Sequence, residues 1–240
     1  ELRRRDRQLV SKDATIREIH HRVKNNLQTI SSLLRLQARR LKGDEAKAAL
    51  GESVRRIGAI SVVHETLAQS AEDDVAFSEI VRPLVRVVEE SVSSPLRPLA
   101  FTVTGDAGVL PGQVTTTMAV VLTELLQNAV DHAFPSGAGV ADEDSRDGPL
   151  PAGQVRIDLD RRPDGLSVRV VDDGVGLPEG FDLAEATGLG LTIVRTFVEG
   201  ELGGRIRLLP VEGGSGTMAE VWVPAVRLVG PWGDANEPTT

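Results

Sequence analysis

The sequence predicts an α+β fold in which an N-terminal helical hairpin precedes a mixed layer of strands and helices. Three observations carry this. Apolar residues recur every seven positions at Leu2, Leu9, Ile16, Val23 and Ile30, with Ile19 and Leu33 on the adjoining seam position; that period belongs to helices that pack along their length. Lys42-Gly43-Asp44 interrupts the pattern. Further on, β-rich runs at 99–104, 155–160, 166–171, 205–209 and 218–223 follow one another without strict helix alternation. That succession favours a partly antiparallel sheet over a doubly wound parallel one.

The first helix has no capping signal before Leu2, so the chain is expected to enter in mid-helix as part of a longer protein. Leu27, Leu34 and Leu41 widen its apolar stripe, which suits a bundle better than a two-stranded coil. A second helix is expected over about 45–69, with Leu50, Val54, Ile57, Ile60 and Leu67 facing inward and His64 packed on the same seam. A lone hairpin leaves an apolar face open. Pairing with a second copy into a dimeric four-helix bundle would cover it. Residues 71–74 read as a linker. Helices are expected near 78–93, 112–133 and 188–200, a Gly/Asp/Ser/Pro-rich loop at 136–153, and a disordered tail at 230–240. The expected units are 1–71, 75–229 and the tail.

The absence of cysteine excludes disulfides, zinc thiolates and thiol catalysis. With 3% aromatics and no tyrosine, stacking platforms for single-stranded nucleic acid are disfavoured. No apolar run approaches bilayer length and no signal-peptide pattern opens the chain; a cytoplasmic location is expected. The net charge of −8 is uneven, because residues 1–50 carry 13 Lys/Arg against 6 Asp/Glu. This basic arm reads as a solvated helix face that meets an acidic protein partner, rather than as a direct nucleic-acid footprint. Lysine occurs only at 12, 24, 42 and 47, so nothing later can serve as a catalytic lysine.

Four motifs carry chemistry. Glu124, Asn128 and either Asp131 or His132 share one face of an otherwise apolar helix, spaced by about one turn. Stranded polar groups there would need partners, and hydrated Mg²⁺ with phosphates would supply them; a surface stripe is the alternative. A buried strand ends in Asp172-Asp173-Gly174-Val175-Gly176, where the carboxylate can accept from an exocyclic amine and the glycines allow a tight turn; an ordinary Asp-Gly turn would look the same. Thr187-Gly188-Leu189-Gly190-Leu191 opens a helix with the N–H groups of an anion site, or is merely a flexible loop. Gly213-Gly214-Ser215-Gly216-Thr217 leads into a strand as a turn or a nucleotide contact.

Taken in order, these motifs resemble the ATP-binding domain shared by histidine kinases, gyrase, the Hsp90 chaperones and mismatch-repair ATPases, the GHKL or Bergerat type, over roughly residues 75–225. The resemblance implies a two-layer α/β sandwich holding ATP under a lid at about 177–187. It implies that Asn128 holds Mg²⁺, that Glu124 assists at the phosphate end and stands beside the metal, and that Asp172 reads adenine. Gly174 and Gly176 would shape the floor, Gly188, Leu189 and Gly190 would meet the phosphates, and Thr217 would support the adenine side. No Gly-x-x-x-x-Gly-Lys-Ser/Thr element competes with this reading.

An imidazole is substantially unprotonated near neutral pH and can attack phosphorus. On the first helix His21 lies away from the seam and His20 beside it. The segment Glu18-Ile19-His20-His21-Arg22-Val23-Lys24-Asn25-Asn26-Leu27-Gln28, with Arg56-Ile57, Ile60-Ser61 and Val63-His64-Glu65, resembles the phosphoacceptor box of a HisKA_2 histidine-kinase subfamily allied to the HWE kinases. By that resemblance His21 is the acceptor, and ATP-dependent autophosphorylation would precede transfer to a response-regulator aspartate. In one group of that subfamily the regulator is an RNA-binding antiterminator. Where the wider family places an acidic residue after the acceptor, Arg22 stands here, which leaves Glu18 to orient or deprotonate His21. Asn25 occupies the place where related kinases position water for dephosphorylation. The rival readings are a non-catalytic dimeric scaffold and an anti-sigma-type serine kinase with the same ATP fold.

Overall fold

The computed structural model describes residues 2–69, 74–92, 99–134, 153–186 and 188–228. The linker, the loop after residue 134, Thr187 and the C-terminal tail of the sequence reading lie wholly or mainly outside these residues. Helices α1 (Leu2–Arg40) and α2 (Asp44–Gln69) form the hairpin, turning at residues 41–43. The mixed layer follows: β1 (Asp74–Ala76), α3 (Phe77–Val92), β2 (Leu99–Asp106), β3 (Val109–Pro111), α4 (Gly112–Asn128), β4 (Gly153–Arg162), β5 (Gly165–Asp172), α5 (Leu189–Arg195), β6 (Arg205–Pro210) and β7 (Thr217–Pro224).

The main sheet has the order β2-β4-β5-β7-β6, with β2 and β4 parallel and every other pair antiparallel. Alternation sets its faces. Along β4, Val155, Ile157 and Leu159 are buried, while Gln154 and Arg156 are exposed. The inner face packs on Phe77, Ile80 and Leu84 of α3 and on Met118, Leu122 and Leu125 of α4, giving a two-layer sandwich. The outer face carries charge pairs instead, including Arg156–Asp158, Arg162–Asp160 and Arg207–Glu220. β1 and β3 pair antiparallel as a small ribbon beside the starts of α3 and α4.

The hairpin is not separate from this core. Ala59, Val63 and Leu67 of α2 are buried in the same apolar cluster as α3 and α4. Toward α1, α2 offers polar partners: Glu65 pairs with Lys24, and His64 meets His20. Three of the seam residues face elsewhere. Ile19, Ile30 and Leu33 are 53%, 45% and 57% exposed in this single chain. Among the described residues no helix is long and apolar enough to cross a membrane.

Two helices end in a looser winding. α4 runs into a π-helical turn at Ala129–Ala133, and α5 runs into another at Thr196–Glu201. Such single turns shift the side-chain phase and are frequent at functional sites.

Candidate active site

A cavity of about 460 Å³ opens between α4, the end of β5, the loop after it, the start of α5, and β6–β7. Asn128, His132, Asp172, Gly176, Gly188 and Thr217, all singled out from the sequence, line it. Its walls are largely apolar, with Leu125, Ala129, Val170, Leu191, Leu208 and Ala219. Leu177, Pro178, Phe181 and Ala186 close it from the loop expected to act as a lid.

The Asp172 end is built locally. Asp172 is 6% exposed, and its Oδ1 accepts from the backbone N–H of Gly174 at 3.0 Å and of Thr217 at 3.1 Å. Burial pushes its carboxyl above the ordinary value of 3.8, against the pull of these donors. Gly174 fits because a Cβ would stand 2.2 Å from the carbonyl oxygen of Ala133. In the same contact Val175 N–H donates to that oxygen at 3.0 Å, tying the Asp-Gly loop to the π turn. Gly216 has φ +119°, and a Cβ there would stand 2.0 Å from the Asp172 carbonyl oxygen. The strand end, the loop and the glycine turn therefore hold one carboxylate in a fixed pose.

The opposite end is built from distant parts. Asn128 Nδ2 is buried and has no hydrogen-bond partner among the described residues. Which amide atom is oxygen is an assignment, so this group can offer a donor or an acceptor. One turn earlier Glu124, 6% exposed, lies outside the cavity lining. Both its oxygens accept from Arg56 of α2, Oε1 from Nε at 2.7 Å and Oε2 from Nη2 at 3.0 Å. Arg56 also reaches Glu52 at 3.2 Å. The Glu124 hydrogen bond is the main cause holding the guanidinium above its ordinary pKa. Gly190 sits over the pair, since a Cβ there would come within 2.9 Å of Glu124 Oε2. Among the described residues no group of three or more His, Cys, Asp and Glu could hold a metal ion. A divalent ion at this end would be carried by Asn128 and by the phosphates themselves, which fits the reluctance of Mg²⁺ to dehydrate.

The other site expectations are placed as follows. Asp131 and His132 are both exposed; Asp131 accepts from Gln127 Nε2 at 2.8 Å, while His132 lines the open cavity. Leu189 is 51% exposed and outside the cavity lining. On α1, His21 is exposed and His20 half-buried. His20 Nδ1 lies 2.9 Å from His64 Nδ1, so one ring must donate and the other accept. Burial, then the nearby His20, pushes His64 below the ordinary 6.5. Glu18 Oε1 accepts from Arg22 Nε at 2.7 Å, one turn along the exposed face.

Sequence reasoning gave no role to Arg56, and it missed the apolar wall of Leu208 and Ala219. Both wall residues lie on strands with alternating patterns, and that alternation was the available signal.

A ligand with an amine-bearing ring for Asp172, an apolar body for the walls and an anionic tail toward Asn128 would match this cavity. Fold and site together define an ATP-binding kinase layer docked on a histidine-bearing helical hairpin. Residues 18–92 match the family described as "Histidine kinase", and residues 113–227 match "Histidine kinase-, DNA gyrase B-, and HSP90-like ATPase". The chain belongs to the histidine kinases. It is 47% identical over 206 residues to the "Sensor histidine kinase PdtaS" of Mycobacterium tuberculosis, covering 86% of this chain and 38% of that protein. To the protein of the same description in Mycolicibacterium smegmatis it is 45% identical over 227 residues, covering 95% and 43%. The chain thus spans roughly two fifths of these relatives. The histidine kinase domain of a blue-light-activated kinase from Erythrobacter litoralis shares the fold, with a TM-score of 0.61, 24% identity, and coverage of 92% of this chain and 95% of that one.

Proposed function

We propose that this chain binds Mg·ATP in the cavity and transfers the γ-phosphoryl group to a ring nitrogen of His21, then to an aspartate of a response regulator. The observation that carries this is the pairing, in one chain, of a two-ended cavity with an exposed imidazole on a helical hairpin whose second helix packs on α4. Asp172 accepts from the adenine amine. Asn128 meets the phosphate end and would hold Mg²⁺, which neutralises phosphate charge when bound. A nitrogen of His21 forms the new N–P bond as the bridging O–P bond breaks, and ADP leaves with the electron pair. Positioning and charge do most of this work. Glu18, now held by Arg22, would have to leave that partner to orient His21.

Residues 1–71 serve as dimerisation and acceptor unit, and 75–229 as the ATP-binding unit. The exposed Ile19, Ile30 and Leu33 support a homodimer, with the second copy covering the seam. Burying such a side chain stabilises by about 1.5–3 kcal/mol, so Ile30→Glu with Leu33→Glu should turn the dimer into a monomer in sedimentation. A dimer persisting in that variant would remove the seam assignment. The regulator is proposed to be of the RNA-binding antiterminator type, and the compartment the cytoplasm.

The test is incubation with γ-labelled ATP and Mg²⁺, followed by acid and alkali treatment. Label lost in acid and kept in alkali identifies phosphohistidine. Acid-stable label would favour a serine kinase, and bound ATP without label would favour a scaffold.

A further inference from the structure

The acceptor hairpin meets α4 one turn before Asn128 through Arg56, and this contact is unused by the transfer just described. Arg56 takes both oxygens of Glu124, at 2.7 and 3.0 Å, across 68 residues of sequence. The pair is shielded, with side-chain exposures of 15% and 8%. It lies one helical turn from Asn128, whose Nδ2 has no partner among the described residues, and directly beneath Gly190. A carboxylate beside a bound triphosphate is a natural general base for water. In that role a water oxygen would bond to the γ-phosphorus, the bridging O–P bond would break, and the water proton would pass to the carboxylate. The products would be ADP and inorganic phosphate, with nothing left for His21.

With both oxygens held, Glu124 cannot turn to present a free lone pair to a water at the phosphate end. A guanidinium fork matches a carboxylate in two parallel charge-assisted bonds, which a lysine ammonium cannot reproduce. We propose that Arg56 is a positioning residue that keeps Glu124 from activating water, so that the acceptor hairpin itself directs the γ-phosphoryl group toward histidine and away from hydrolysis. The inference rests on the proposed ATP-to-histidine transfer. It adds that fidelity in this transfer depends on hairpin docking through α2, and that an undocked hairpin frees Glu124.

The experiment compares wild type with Arg56→Ala, Arg56→Lys, Glu124→Gln and the Arg56→Ala/Glu124→Gln double variant. Phosphate release and phosphohistidine are measured in the same reaction, so the readout is their ratio. Hydrogen exchange on nucleotide-free protein reports whether α2 stays protected against α4. Arg56→Ala should raise the ratio about 10-fold or more, the low end for a general base set free. Arg56→Lys should fall between it and wild type, and the double variant should return to the wild-type ratio. The nucleotide-free protein should lose α2 protection in Arg56→Ala and retain most of it in Arg56→Lys. An unchanged ratio in Arg56→Ala, a raised ratio that survives in the double variant, or α2 protection equal to wild type in Arg56→Ala would each overturn the inference. A wild type that releases phosphate yet forms no phosphohistidine would overturn both this inference and the transfer beneath it. Phosphohistidine in the wild type with an unmoved ratio would overturn the inference alone.

Discussion

The two ends of the cavity are made in different ways. At the Asp172 end a strand terminus, its loop and a glycine turn satisfy one carboxylate through backbone N–H groups. At the Asn128 end an amide lacks a partner among the described residues, and the neighbouring carboxylate is held by a side chain from the hairpin. The first end is complete once the sandwich folds. The second depends on where the hairpin sits. Under the proposed function, nucleotide recognition would be a property of the fold, while the fate of the phosphoryl group would be a property of docking.

The largest effect expected from breaking this contrast is on stability. Arg56→Ala leaves Glu124 buried and unpaired, a change that costs about 3–5 kcal/mol. Chemical denaturation should show that loss, and Arg56→Met with Glu124→Leu should recover most of it. Next comes affinity. Asp172→Ala removes a charged acceptor and strands two backbone donors, so an ATP analogue should bind roughly 10- to 100-fold more weakly by calorimetry. The same substitution should leave the ratio of phosphate release to phosphohistidine unchanged. Asn128→Ala should separate stability from binding. It removes a buried donor without a partner among the described residues, so unfolding free energy should stay level or rise by about 1 kcal/mol, while Mg²⁺-dependent binding of the analogue should weaken.

The smallest effect is on pH dependence. His64 has a folded pKa below its ordinary 6.5, so the native state binds fewer protons than the unfolded chain between those two values. Its contribution is present above 6.5 and is lost as pH falls through the folded value. His64→Gln should flatten that part of a stability profile. Asp172 has the opposite sign. Its folded pKa lies above 3.8, so its share of stability is present below 3.8 and declines as pH rises through the folded value.

Much of this was legible in the sequence, for local reasons. The five main strands follow from the β-rich runs, and the expected 155–160 became Gly153–Arg162. Asp172, Gly174 and Thr217 could be read because a strand end, a turn and a strand start each leave a composition signal. Other features are not local. The π turn at Ala129–Ala133 is a change in winding that a 3.6-residue period does not encode. The ribbon of β1 and β3 has three residues a side, too few to show alternation. The seven-residue seam was visible, but not that α2 would meet α1 through Lys24–Glu65 and His20–His64 and leave Ile30 and Leu33 outside. Arg56 and Glu124 were each in view, but only the packing of Ala59, Val63 and Leu67 into the sandwich core brings them together.

The proposed reaction moves a phosphoryl group from this chain's own ATP cavity to His21. The direct measurement is peptide mapping by mass spectrometry after reaction with Mg·ATP, kept at alkaline pH so that a phosphoramidate survives. The expected result is one phosphoryl group on His21, absent in His21→Gln and retained in His20→Gln. Modification on His20, His64 or His132 instead, or label that persists in His21→Gln, would contradict it.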